Sequence, residues 1–268
     1  MLIEDVTIEA DEKSAGLFLR LYRPRSVEPS VPALFWAHGG GYVLGSLYQD
    51  ESRSIAMARE LGIVVAAVRY RLAAHHPFPA AVDDAYAGLS WLYDTATSRG
   101  VDPARIAVGG ARAGAGLAAG LALVAHDREK VRPVFQLMLY PMLDDRIVTR
   151  SDHDTRNARM WKAKNNRYAW GAYLGVDPGG GRVSEHAAPA RRSDLSGLPT
   201  AWIGVGTLDV SYDEDIAYAQ RLVEAGVPCT LSVVNGAFHA FDVVFPRASV
   251  SATFWDDQVA ALRSALFT

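Results

Sequence analysis

A single cysteine, Cys229, stands in the whole chain, so no internal disulfide can form. The opening MLIEDVTIEADE has neither the basic nor the apolar part of a secretory signal, and with one thiol it reads as a protein of the reducing cytoplasm. No apolar run approaches the roughly 20 residues that span a bilayer. Basic blocks and heptads are missing as well. A formal net charge of −3 and a pI near 6.2 give no field that would gather nucleic acid or an anionic membrane, so neither is an expected partner. No internal repeat is visible. The expected partner is a small molecule, and a homodimer is compatible with everything read so far.

What is present is a large potential core. Half of the 268 residues are hydrophobic, and α/β chains of this length commonly form one domain, here residues 1–268. Val6 to Ile8 and Gly16 to Tyr22 alternate apolar and polar side chains around the polar turn Asp11 to Ser14, the pattern of an antiparallel hairpin. The runs 33–37, 63–68, 106–109, 135–140, 201–205 and 230–234 are continuously apolar, as strands covered on both faces tend to be. Helical patterns separate them at 55–61, 81–96, 113–125, 213–224 and 254–266. This alternation predicts an α/β fold whose mainly parallel sheet is flanked by helices. One stretch departs from it. Residues 142–192 hold Trp161, Tyr168, Trp170 and Tyr173 in a helix-compatible region, then the loop DPGGGR and the segment APARR. This stretch reads as a small cap insertion over the carboxyl edge of the sheet, where open α/β folds bind ligands.

Four motifs carry chemistry. His38-Gly39-Gly40-Gly41 directly follows an apolar strand, and consecutive glycines let backbone amides approach a ligand and converge on one oxygen. The plainer alternative is a glycine turn. Gly109-Gly110-Ala111-Arg112-Ala113-Gly114 joins a strand to a small-residue helix. That is the layout of a nucleophile elbow, GxSxG, with arginine at its center in place of serine. Thr207-Leu208-Asp209 ends a strand, and Gly236-Ala237-Phe238-His239 follows the last one. Acid and then histidine, both after the elbow, is the chain order of α/β-hydrolases.

On these motifs the chain resembles the hormone-sensitive-lipase family of carboxylesterases. The similarity runs from HGGGYVLG at His38 through YRLA and HPFPAA between Tyr70 and Ala81, and LYPMLDD at Leu139, to GAFHAFD at Gly236. The resemblance implies an α/β-hydrolase fold. It also implies that His239 is the catalytic histidine, that Asp209 orients it, and that Gly39, Gly40 and the Ala113 amide form the oxyanion hole. Arg112 falls on the serine. Further departures gather around the same pocket: GARAGA for the usual GDSAGG, Arg69, Ala74 and His75 in the RYRLAAHHPFPA segment, and Ala240 after the histidine. The family's N-terminal cap segment is expected to be missing here, which would leave a more open site. Changes concentrated in this way suggest a pocket altered as a unit, by divergence or by engineering, with engineering the favored origin.

Arginine stays protonated and offers no lone pair, so covalent ester hydrolysis through position 112 is excluded. Cys229, at the start of what reads as an inner strand, and Ser211, in the acid loop, are poor substitutes. Three outcomes stay open. His239 and Asp209 act as a general base while Arg112 and the amides stabilize developing negative charge; or His239 activates water for weak hydrolysis; or the site is silent and Arg112 clamps a small acidic ligand. The ligand is expected to be a carboxylate or an ester. Neither a cofactor nor a metal is expected, since His75 and His76 have no identifiable third ligand and read more simply as a turn. Lys162 and Lys164 read as solvated cap surface.

Overall fold

The computed structural model describes residues 1–9, 16–25, 30–151 and 156–268. Among them, one eight-stranded sheet runs in the order β1-β2-β4-β3-β5-β6-β7-β8. Its strands are β1 (Leu2–Ile8), β2 (Leu17–Arg23), β3 (Val31–Ala37), β4 (Val64–Arg69), β5 (Val101–Ala111), β6 (Phe135–Leu139), β7 (Thr200–Gly206) and β8 (Cys229–Val234). β1 and β2 pair antiparallel, with Leu2 opposite Arg23 and Ile8 opposite Leu17, so the expected hairpin partners do meet. Its turn, Asp11 to Ser14, lies outside the described residues. β2 pairs antiparallel with β4, and every later pairing is parallel.

The helices are α1 (Glu51–Leu61), α2 (Ala80–Thr95), α3 (Ala113–Arg128), α4 (Ala163–Leu174), α5 (Tyr212–Glu224), the short α6 (Phe241–Val244) and α7 (Ser249–Phe267). They form a layer on each face because the strands are apolar on both. Along β3, Ala33, Phe35 and Ala37 point toward Leu89 of α2 and Leu117 of α3. Leu34 and Trp36 point the other way, toward Met57 of α1 and Leu262 of α7. Two-sided burial of this kind removes the polar alternation of a half-exposed strand. No helix among the described residues is long and apolar enough to cross a membrane.

Parallel strands put all their carboxyl ends on one edge, and the loops that leave it carry the chemistry-bearing residues. His38 follows β3, Arg112 follows β5, Tyr140 follows β6, Asp209 follows β7 and His239 follows β8. Between β6 and β7, Trp170 and Tyr173 of α4 pack on Tyr42, whose ring stacks on Tyr173 at 3.7 Å. These rings bury apolar surface against the glycine loop. Two expectations need correcting. Trp161 precedes α4 rather than lying in a helix. Cys229 opens β8, which pairs only with β7 among the described residues and so is an edge strand, not an inner one. Partial exposure of Cys229 follows from that edge position.

Candidate active site

The elbow forms where β5 turns sharply into α3. Arg112 sits at the apex with φ 61° and ψ −126°, a region that costs a non-glycine residue about 1–3 kcal/mol. Its neighbors hold it there. A Cβ on Gly110 would lie 2.4 Å from the Gly114 carbonyl carbon, and one on Gly114 would lie 2.1 Å from the Ala37 carbonyl oxygen. Side chains at either position would therefore push strand and helix apart. The Arg112 amide donates to Leu139 O at 2.8 Å, and its carbonyl accepts from Ala115 and Gly116, the first turn of the helix.

The glycine loop passes beside this apex. Gly40 and Gly41 take φ 123° and 60°, values that suit glycine. His38, which opens the loop, is buried, and its Nδ1–H donates to Gly39 O at 2.7 Å. Burial lowers its pKa, so the ring stays neutral. Tyr70 stacks on the His38 ring at 4.2 Å and donates its hydroxyl to His38 O at 2.7 Å. The amides of Gly39, Gly40 and Ala113 donate to no acceptor among the described residues, which leaves them available to a ligand oxygen.

His239 and Asp209 meet as expected. Nδ1 of His239 lies 2.8 and 3.0 Å from the two carboxylate oxygens, and both side chains are almost fully buried. Asp209 also accepts from the amide and hydroxyl of Ser211, each at 3.0 Å. That hydroxyl lies 3.2 Å from Asp215 as well, so Ser211 braces the acid and does not face a ligand. With Nδ1 on the carboxylate, Nε2 has no partner among the described residues. Ala240, next in the chain, takes φ 60°. The backbone there adopts a conformation that favors glycine, and alanine accepts the strain.

A cavity of about 260 Å³ joins these parts. Arg112 and His239 share its floor, Met142, Ala240, Val243 and Val244 make an apolar wall, and Met160 and Trp161 come from the segment before α4. Trp161 lies over the glycine loop, where a Cβ on Gly41 would come within 2.5 Å of its ring, and 6.2 Å from the His239 ring. Its Nε1–H donates to Asn166 at 3.2 Å, which fixes the indole.

The Arg112 side chain is mostly buried and lies against Gly39, where a Cβ would sit 2.3 Å from its Nε. Its guanidinium carbon is 6.0 Å from the Tyr140 ring, and its one ionic neighbor among the described residues is Asp50, at 3.8 Å. No acceptor among the described residues takes a hydrogen bond from its guanidinium. Asp50, buried at the end of the turn before α1, accepts from Trp36 Nε1 at 3.1 Å. Sequence reasoning missed Asp50, because nothing in SLYQDESR marks a carboxylate that returns under the elbow. It also missed Tyr140 and Asp242. The Tyr140 hydroxyl donates to Asp242 at 2.9 Å behind the His239 ring, and Arg53 closes this pair from α1.

His75 and His76 lie in an exposed turn, and Lys162 and Lys164 are exposed too. Among the described residues, one group could offer three metal ligands, Asp127, Glu185 and His186, and Arg192 already bonds both of its carboxylates.

A family model described as alpha/beta hydrolase fold matches residues 34–243. The carboxylesterase NlhH of Mycobacterium tuberculosis is 36% identical over 92% of this chain and 78% of its own length. The carboxylic ester hydrolase LipN of the same organism is 35% identical over 92% of this chain, which spans 66% of LipN. A solved structure of a bacterial heroin esterase superposes over the whole chain and 85% of its own, with a TM-score of 0.94 and 37% identity.

Proposed function

Because the chain belongs to the α/β-hydrolase family that includes these carboxylesterases, we propose that it keeps an esterase's general base while lacking the serine nucleophile, with Arg112 in its place. His239, oriented by Asp209, takes a proton from a small carbonyl compound, or from water. The Arg112 guanidinium and the amides of Gly39, Gly40 and Ala113 stabilize the negative charge that develops on the carbonyl oxygen. No acyl-enzyme forms. The cap segment with Trp161 closes the pocket above.

The observation that carries this reading is the coexistence of an intact His239–Asp209 pair, 2.8 Å apart, with uncommitted N–H donors on Arg112 in the same cavity. A site that had simply decayed would have no reason to keep a buried imidazole oriented by a buried carboxylate. Deuterium exchange tests it: the α-protons of a small ester or ketone, followed by NMR in D2O, should exchange faster with the protein than in buffer. His239→Ala should abolish the gain, and Arg112→Ala should reduce it by about 10²-fold, the typical worth of one oxyanion donor. Exchange at the buffer rate across a series of short esters and ketones would overturn the reading.

One observation favors a second reading. The guanidinium lies directly against Gly39, where a carbonyl oxygen would approach the oxyanion amides. In a silent binding protein Arg112 would simply hold its ligand, and such a protein would bind the same compounds with no exchange.

A further inference from the structure

The site as proposed rests on Arg112 meeting a ligand oxygen, and its charge balance decides which oxygen that is. Arg112 faces Asp50 at 3.8 Å across a contact with side-chain exposures of only 16% and 7%. Asp50 is held in place by Trp36 and cannot swing to water without breaking that bond. Behind His239 stands the buried carboxylate of Asp209. The next cation, Arg53, is spent on Asp242 and Gln258. Around the floor, then, the guanidinium has the Asp50 carboxylate beside it, and a second carboxylate, Asp209, stands behind the imidazole. A ligand carboxylate would enter as a third negative charge in a mostly buried space, where such charges are poorly screened. An uncharged carbonyl oxygen would meet the same N–H donors without that repulsion.

We propose that Asp50 is a specificity-determining residue, the built-in counter-ion of Arg112, and that it tunes the cavity to uncharged carbonyl compounds, of the class of small esters, ketones and amides, against carboxylates. The apolar wall of Met142, Ala240, Val243 and Val244 fits the same class, since it offers the rest of the molecule apolar surface to cover. Arginine at an elbow suggests an anion clamp when read alone. Paired with a buried acid it keeps its charge and its N–H donors, but the pair as a whole carries no net charge.

Hexanamide and hexanoate, nearly equal in size and different in charge, make the test, with binding followed by ligand-observed NMR and calorimetry at pH 7.5. The unaltered protein should bind hexanamide at least tenfold more tightly than hexanoate. Asp50→Asn keeps the shape and the acceptor for Trp36; it should raise hexanoate affinity about tenfold and leave hexanamide nearly unchanged. In an Arg112→Ala background the same change should have no such effect. Tighter binding of hexanoate by the unaltered protein overturns the inference, with no variant needed. So does an Asp50→Asn variant that strengthens neither ligand, while Arg112→Ala still weakens hexanamide. If Arg112→Ala changes the binding of neither ligand, the reading of Arg112 as a ligand contact fails instead, and the inference about Asp50 falls with it.

Discussion

Replacing Arg112 by serine asks whether the proposed site has the geometry that an esterase needs. The backbone at the apex is dictated by Gly110, Gly114 and the close crossing of strand and helix, so serine inherits φ 61° and ψ −126° and with them the exposed position that a nucleophile needs. The oriented His239 is in place, and the three amides are unpaired among the described residues. Removing the guanidinium also clears the space against Gly39. Loss of the serine from a complete triad costs about 10⁶ in kcat in a well-studied protease. Arg112→Ser is expected to recover part of that, a gain of roughly 10³ or more in kcat/KM on p-nitrophenyl butyrate, limited by pocket changes that accompany the arginine. A stability cost accompanies the gain. Opposite charges 3.8 Å apart attract by about 4 kcal/mol at an effective dielectric constant near 20, and most of this is offset by the desolvation the pair suffers. A net loss of about 1–2 kcal/mol, or roughly 2–4 °C in Tm for a domain of this size, is expected, and Asp50→Asn in the same chain should return most of it. The assay is a stopped-flow burst with mass detection of a phosphonate adduct at position 112. A variant that folds, as judged by a cooperative melt, yet shows neither burst nor adduct would refute the claim that elbow, base and oxyanion amides are still aligned.

Two further outcomes follow from buried titratable groups. Asp215 is fully enclosed, and burial, then Glu214, then Asp209 raise its carboxyl pKa well above the ordinary range. The unfolded chain loses this proton near pH 3.9 while the folded chain keeps it, so the group's contribution to stability falls as pH rises from there toward the raised value. Asp215→Asn should therefore gain stability relative to the parent between pH 4.5 and 7.5, by up to about 1.4 kcal/mol per pH unit, and parallel urea-denaturation curves at the two ends would refute this. Cys229 is pushed up to about 12 by burial alone. Alkylation by iodoacetamide at pH 8 should run on the order of fifty-fold slower than for free cysteine, and stoichiometric labeling of the native protein within minutes would overturn the inert assignment.

The sequence by itself determined the fold class and most of the candidate site's membership. Continuously apolar runs bounded by helical patterns carry two-sided burial within a few residues, so β3 to β8 and their helices were legible before any contact was known. Short motifs marked Gly39, Gly40, Arg112, Ala113, Asp209 and His239, because tight turns and a strand-end acid and histidine demand particular residue types locally. What only the tertiary structure decided is how these residues see one another. Asp50 stands 62 positions before Arg112, on a turn with no motif, and nothing local states that its carboxylate comes within 3.8 Å of the guanidinium. Sheet order likewise made β8 an edge strand and left Cys229 partly exposed, and the packing around α4 chose Trp161 over Trp170 to line the cavity. Periodicity and turn chemistry are properties of neighboring residues, while the balance of charge in a pocket is set by loops that meet only after the chain has folded.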